Sequence, residues 1–157
     1  MFIVQGFISG LIATIIFDLF NQSLNYAYNV NKPKWFLLGR YFIGCTRGKY
    51  FRESLEADNE ENNELVWGYG IHYLIGLIYG LFYVIFNFLF FGYPSLLAAY
   101  SFGFITVLGA WCFLMPFAYN LGFFASKSDQ QFKILAQNLI SHFVFGTGLF
   151  IGYYISF

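Results

Sequence analysis

Twelve of the sixteen charged side chains lie between Lys32 and Glu64, and this concentration limits the possible folds more than any other feature. Elsewhere the chain carries only Asp18, Lys127, Asp129 and Lys133, which leaves four long apolar stretches at about 2–21, 65–91, 95–119 and 134–156. A helix crossing a hydrocarbon core of ~30 Å needs ~20 mostly apolar residues, and each stretch is long enough. The stretches are continuously apolar and do not alternate in segments of ~10 residues, so barrel strands are excluded. The expected fold is all-α: a polytopic membrane protein with one four-helix transmembrane domain over 1–157 and a cytoplasmic loop over 30–64.

Composition supports this reading. Of 157 residues, 59% are hydrophobic, 25% aromatic and only 10% charged. A soluble domain usually carries about a quarter charged residues, and a disordered chain needs few aromatics. A formal net charge of zero offers a phosphate backbone no surplus of cations, so nucleic acid is not an expected partner. Two cysteines, Cys45 and Cys112, make neither a disulfide framework nor a zinc spacing, and no metal is expected. The first apolar stretch has no basic residues before it and no small-residue cleavage site after it, so it reads as a retained helix. Six Lys and Arg follow the first helix, two follow the third, and none lie between the second and third. The positive-inside rule then places both charged loops in the cytoplasm and both termini outside a bacterial inner membrane.

Each expected span has a small-xxx-small pair: Gly6 and Gly10, Gly76 and Gly80, Ala99 and Gly103, Gly148 and Gly152. Helices in lipid associate through such faces, which also suit a homodimer. The ionisable residues share these stripes. Steps of four connect Gly6, Gly10, Thr14, Asp18 and Gln22; Gly68, His72, Gly76 and Gly80; and Asn138, His142 and Gly146. At 1.5 Å per residue, His72 lies ~10 Å and His142 ~12 Å from the cytoplasmic ends of their spans. The expectation is an inner-leaflet polar cluster of Asp18, His72 and His142, surrounded by Asn21, Gln22, Met115, Gln137 and Asn138. An ionisable group in a span costs ~2.5–3.5 kcal/mol on insertion scales, which makes it a functional candidate. The bland reading is interhelical hydrogen bonding worth ~0.6 kcal/mol each. His72 and His142 also make a b-type haem conceivable as axial ligands, although no cofactor is expected.

In the loop, Trp35, Leu38, Tyr41, Phe42 and Cys45 share one helical face while Arg40 and Arg47 share another, so the segment reads as an amphipathic interfacial helix. Arg40, Arg47 and Lys49 are candidates for contact with lipid head groups or an anionic substrate. The acidic run 53–64 reads as a solvated connector. No catalytic signature is present: Gly-x-Ser-x-Gly, His-Glu-x-x-His and the phosphate-binding loop are all missing.

Several short motifs occur in order: Trp35 to Arg40, Arg47-Gly48-Lys49-Tyr50-Phe51, Gly68-x-x-x-His72-Tyr73, Phe113-Leu114-Met115-Pro116 and Gly122 to Ser126. In this order, over about 10–152, the chain resembles the domain-of-unknown-function 2938 family of bacterial membrane proteins. The resemblance implies four spans and an acid and a histidine at Asp18 and His142, but no transferable activity. It departs in the aromatic-rich spans and at Arg52-Glu53, where the family carries a histidine. The leading expectation is binding or transport of a small polar species or proton through the Asp/His cluster, without enzymatic activity. The alternatives are a membrane enzyme acting on lipid or isoprenoid head groups, and a non-catalytic scaffold.

Overall fold

The computed structural model describes residues 1–51 and 55–157, and most of these are helical. In order they form α1 (Phe2–Tyr28), α2 (Trp35–Cys45), α3 (Glu64–Phe91), α4 (Leu96–Gly109), a π-helical segment (Ala110–Ala118), a short 3-10 turn (Phe123–Ala125) and α5 (Gln131–Ser156). Among the described residues, four runs are long and apolar enough to cross a membrane: Phe2–Tyr28, Glu64–Phe91, Leu96–Ala118 and Gln131–Ser156. Three match the expected spans closely. The first continues beyond residue 21 to Tyr28, because Asn21 to Asn25 are compatible with a helix outside hydrocarbon, and it closes at Asn29 with φ 52°. The departure at Arg52-Glu53 lies outside the described residues.

The chain divides into two compact units. The first comprises Met1–Pro33, Tyr73–Val107 and Leu139–Phe157, in which segments of α1, α3, α4 and α5 close a ring of helix contacts. The small-residue stripes make these contacts. A methyl group added at Gly6 would stand 2.6 Å from Leu81 Cα, and one at Gly148 would stand 2.6 Å from Ala13 Cα. Gly103 and Gly146 bring α4 and α5 together in the same way, against the carbonyl oxygens of His142 and Ala99. Backbones this close gain dispersion contacts and interhelical hydrogen bonds, the forces available to helices in lipid. Ser9 Oγ donates to the Leu149 carbonyl oxygen at 2.8 Å. Tyr83, Phe102 and Tyr153 fill the space between helices with tilted and edge-on rings. Phe82, Leu89, Leu97 and Ile155 are exposed, as a lipid-facing surface requires.

Asn87 closes the turn between α3 and α4. Its side chain is fully buried; Nδ2 donates to the Tyr93 carbonyl oxygen at 2.6 Å, and Oδ1 accepts from the Ser95 amide at 3.0 Å. Replacing Asn87 by leucine leaves both backbone groups without these partners. The expected loss is about 2–3 kcal/mol of stability, measurable as a lowered midpoint of unfolding in lipid nanodiscs.

The second unit comprises Lys34–His72 and Leu108–Asn138. Here α2 crosses the start of α3, with Gly39 facing Gly68, and backbone packs on backbone. Leu37, Leu38 and Tyr41 form a small core with Leu55 and Ala118. The acidic run is not merely a solvated connector. Glu56, Glu61 and Glu64 pair with Lys34, Arg47 and Arg40, so the run is drawn onto α2 and the turn after it. The helix ends at Cys45, which puts Arg47 in the following turn and not on a helical face shared with Arg40.

Candidate functional site

The first unit holds Asp18, Asn21, Gln22 and His142. His142 is half-buried on α5, and its Nδ1 lies 2.9 Å from Thr106 Oγ1 on α4. The Thr106 hydroxyl also donates to the Gly103 carbonyl oxygen at 2.8 Å. A hydroxyl has a single hydrogen, so both contacts form together only when Nδ1 carries a proton and donates to Oγ1. In the neutral ring this leaves the lone pair on Nε2. Protonation of Nε2 gives an imidazolium that keeps both bonds. Phe17 of α1 meets the imidazole edge-on at 5.8 Å, next in sequence to the half-buried Asp18. One turn further, buried Asn21 accepts a hydrogen bond from Ser141 Oγ at 3.1 Å and donates to the Phe17 carbonyl oxygen at 2.9 Å. Gln22 is exposed and accepts from Lys32 Nζ at 2.8 Å. Around His142 the structure thus gathers Thr106, Phe17 and Phe145.

The second unit holds His72, Met115, Gln137, Asn138 and the loop cations. His72 stacks on Trp35 at 3.8 Å between ring centroids, with 19° between planes. Met115 is buried, Gln137 and Asn138 are half-buried, and Asn138 Nδ2 donates to the Ile134 carbonyl oxygen at 3.1 Å.

Arg40 turns inward. It is 3% exposed; Nε and Nη2 grip the Glu64 carboxylate at 2.7 and 2.9 Å, and Nη1 donates to the carbonyl oxygens of Leu55 at 2.8 Å and Asp58 at 3.0 Å. Hydrogen bonding to Glu64 raises its pKa above the ordinary guanidinium value. The guanidinium is therefore a clasp that holds α2, the acidic run and α3 within this unit. Arg47 Nη1 meets Glu61 at 2.6 Å on the surface. Lys49 lines an open cleft of about 690 Å³ together with Tyr50, Phe51, Asp58, Asn59 and Glu61. Among the described residues, no group of three or more His, Cys, Asp or Glu is placed to hold a metal.

Sequence pattern alone gives Thr106, Glu61 and Glu64 no site role. Thr106 was detectable, since it lies three residues beyond Gly103 on the small-residue face of α4. Nothing local marks Glu64 as the partner of a residue 24 positions earlier.

Among the described residues, four membrane-length helices with exposed apolar side chains, and ionisable side chains within the apolar spans, define a multi-pass membrane protein. No curated protein and no solved structure matches the chain. The family model described as "Protein of unknown function (DUF2938)" matches residues 7–156, and the chain belongs to that family.

Proposed function

We propose that this protein binds and relays a proton, or a small polar species that moves with one, using the ionisable side chains Asp18, His72 and His142 within its spans. The observation that carries the reading is the His142–Thr106–Gly103 chain, in which an ordered hydroxyl presents Nδ1 as donor and makes Nε2 the basic atom. The stacking of His72 on Trp35 adds support, because it holds a second imidazole in a fixed orientation. A head-group enzyme would use Arg40 and Arg47 for phosphate. Their pairing with Glu64 and Glu61 speaks against that chemistry and so favours the relay. The same reading sets the protein in a bacterial inner membrane with the basic loop on the cytoplasmic side and both termini outside.

The test is proton flux into proteoliposomes carrying an internal pH dye. His142→Asn is expected to lower flux by about tenfold or more, the range set by loss of a positioned acid–base group. Thr106→Val, which cannot accept from Nδ1, is expected to lower it less and to shift its pH profile. Asp18→Asn and His72→Ala should weaken any uptake or resistance phenotype in cells at unchanged membrane abundance. Flux equal to the parent in His142→Asn would reject the reading.

A further inference from the structure

The segment from Ala110 to Ala125 departs from regular geometry in four independent ways. Ala110–Ala118 is a nine-residue π-helix, whereas this geometry usually occurs as a single-turn bulge, often at functional sites. The Tyr119 amide still pairs to the fifth residue back, donating to the Leu114 carbonyl oxygen at 3.0 Å, and the Leu121 amide reaches the sixth, donating to that of Met115 at 2.8 Å. Pro116 lies inside it and has no N–H to offer. Beyond it, Asn120, Phe124 and Ala125 adopt φ of 52°, 53° and 55°, a region that side chains with a Cβ disfavour. Finally, Trp111 Nε1 and Tyr119 Oη are buried without a hydrogen-bond partner, and burial pushes the Tyr119 pKa up.

These features have one physical explanation. Pairing to the fifth residue takes up more chain per turn than pairing to the fourth. Relaxation to α pairing gives every N–H a different acceptor and turns the side chains by about one residue step, ~100°. The chain that follows must absorb the change, and it is there that the left-handed residues sit. Buried polar groups in native proteins nearly always have partners, so an orphaned pair within one strained segment marks a conformation that is not the only one. We propose that Ala110–Ala118 is a register switch between π and α pairing. Residues 120–125 supply the slack, and the alternative register takes Trp111 and Tyr119 to acceptors at the membrane–water boundary, where indole and phenol groups are favoured. This proposal does not depend on the proton relay.

The switch is tested on the full chain in nanodiscs, by nitrogen relaxation dispersion at the Trp111 indole and by alkylation of the exposed Cys112 in a Cys45→Ser background. The unsubstituted protein is expected to show exchange on the microsecond-to-millisecond scale. Pro116→Ala, which restores an N–H, should favour α pairing and change the Cys112 alkylation rate by about threefold or more. Phe124→Gly combined with Ala125→Gly relieves the left-handed strain in place, so it should hold the π register and flatten the dispersion. Should Pro116→Ala fail to fold, the parent and the glycine pair still decide. Flat dispersion in the parent, or dispersion that the glycine pair leaves unchanged, overturns the proposal and leaves a static irregularity.

Discussion

Replacing Gly39 with valine is expected to detach α2 from α3. A first side-chain carbon at Gly39 would lie 2.7 Å from the Gly68 amide nitrogen and closer still to the Glu64 carbonyl oxygen. Both obstacles are backbone atoms of a helix, so no rotamer change relieves the clash. The helices must separate, which opens the core of Leu37, Leu38, Tyr41, Leu55 and Ala118. The expected cost is about 3 kcal/mol or more, at the upper end for overpacked sites. It should be seen as a lower unfolding midpoint and as new protease cleavage between α2 and α3. Gly70→Val supplies the control. Gly70 is exposed with nothing within 4 Å of an added carbon, so its substitution should leave stability nearly unchanged. Equal destabilisation by the two would show that glycine is needed on α3 and α2 for some reason other than close approach.

Arg40→Met is expected to cost about 3–5 kcal/mol, because it leaves the Glu64 carboxylate buried without its cation. The side chains of Arg40 and Glu64 are only 4% and 14% exposed, so salt should screen the pair weakly. The double variant Arg40→Met with Glu64→Met should be more stable than Arg40→Met alone. Leu55 and Asp58 lose their donor in both, so the difference isolates the unpaired charge. Breaking the exposed Lys34–Glu56 or Arg47–Glu61 pair should cost no more than about 1 kcal/mol, and less at high salt. Arg40 holds its proton more tightly in the folded protein, so its contribution is complete below the ordinary guanidinium pKa and is lost only as the pH rises through its raised pKa. Alkaline titration short of that value should leave the clasp closed. A double variant no more stable than the single would contradict this account.

What was legible in the sequence rests on bilayer physics acting on composition. Four long apolar runs can be accommodated in lipid only as helices, and the turn at Gly92-Tyr93-Pro94 separates the second from the third. Small residues spaced by four mark the faces where backbones meet, and Gly6, Gly10, Gly76 and Gly80 do meet α3 or α1. Periodicity also placed His142 on a packing face. Arg40 shows the limit of this reasoning. As a cation in a basic loop it suggested contact with an anion outside the chain, and its partner proved to be Glu64 of the same chain.

Period and composition thus determined which segments are helical, which can enter a membrane and which faces are narrow enough to pack. Tertiary structure alone decided which opposite charges pair, which hydroxyl orients which imidazole, and where the third span leaves α geometry. The physical reason is one of range. Helix formation and partition into lipid depend on neighbours within a few residues. The Arg40–Glu64 clasp joins residues 24 apart, and the His142–Thr106 contact joins residues 36 apart. Such pairs exist only after the chain has folded back on itself.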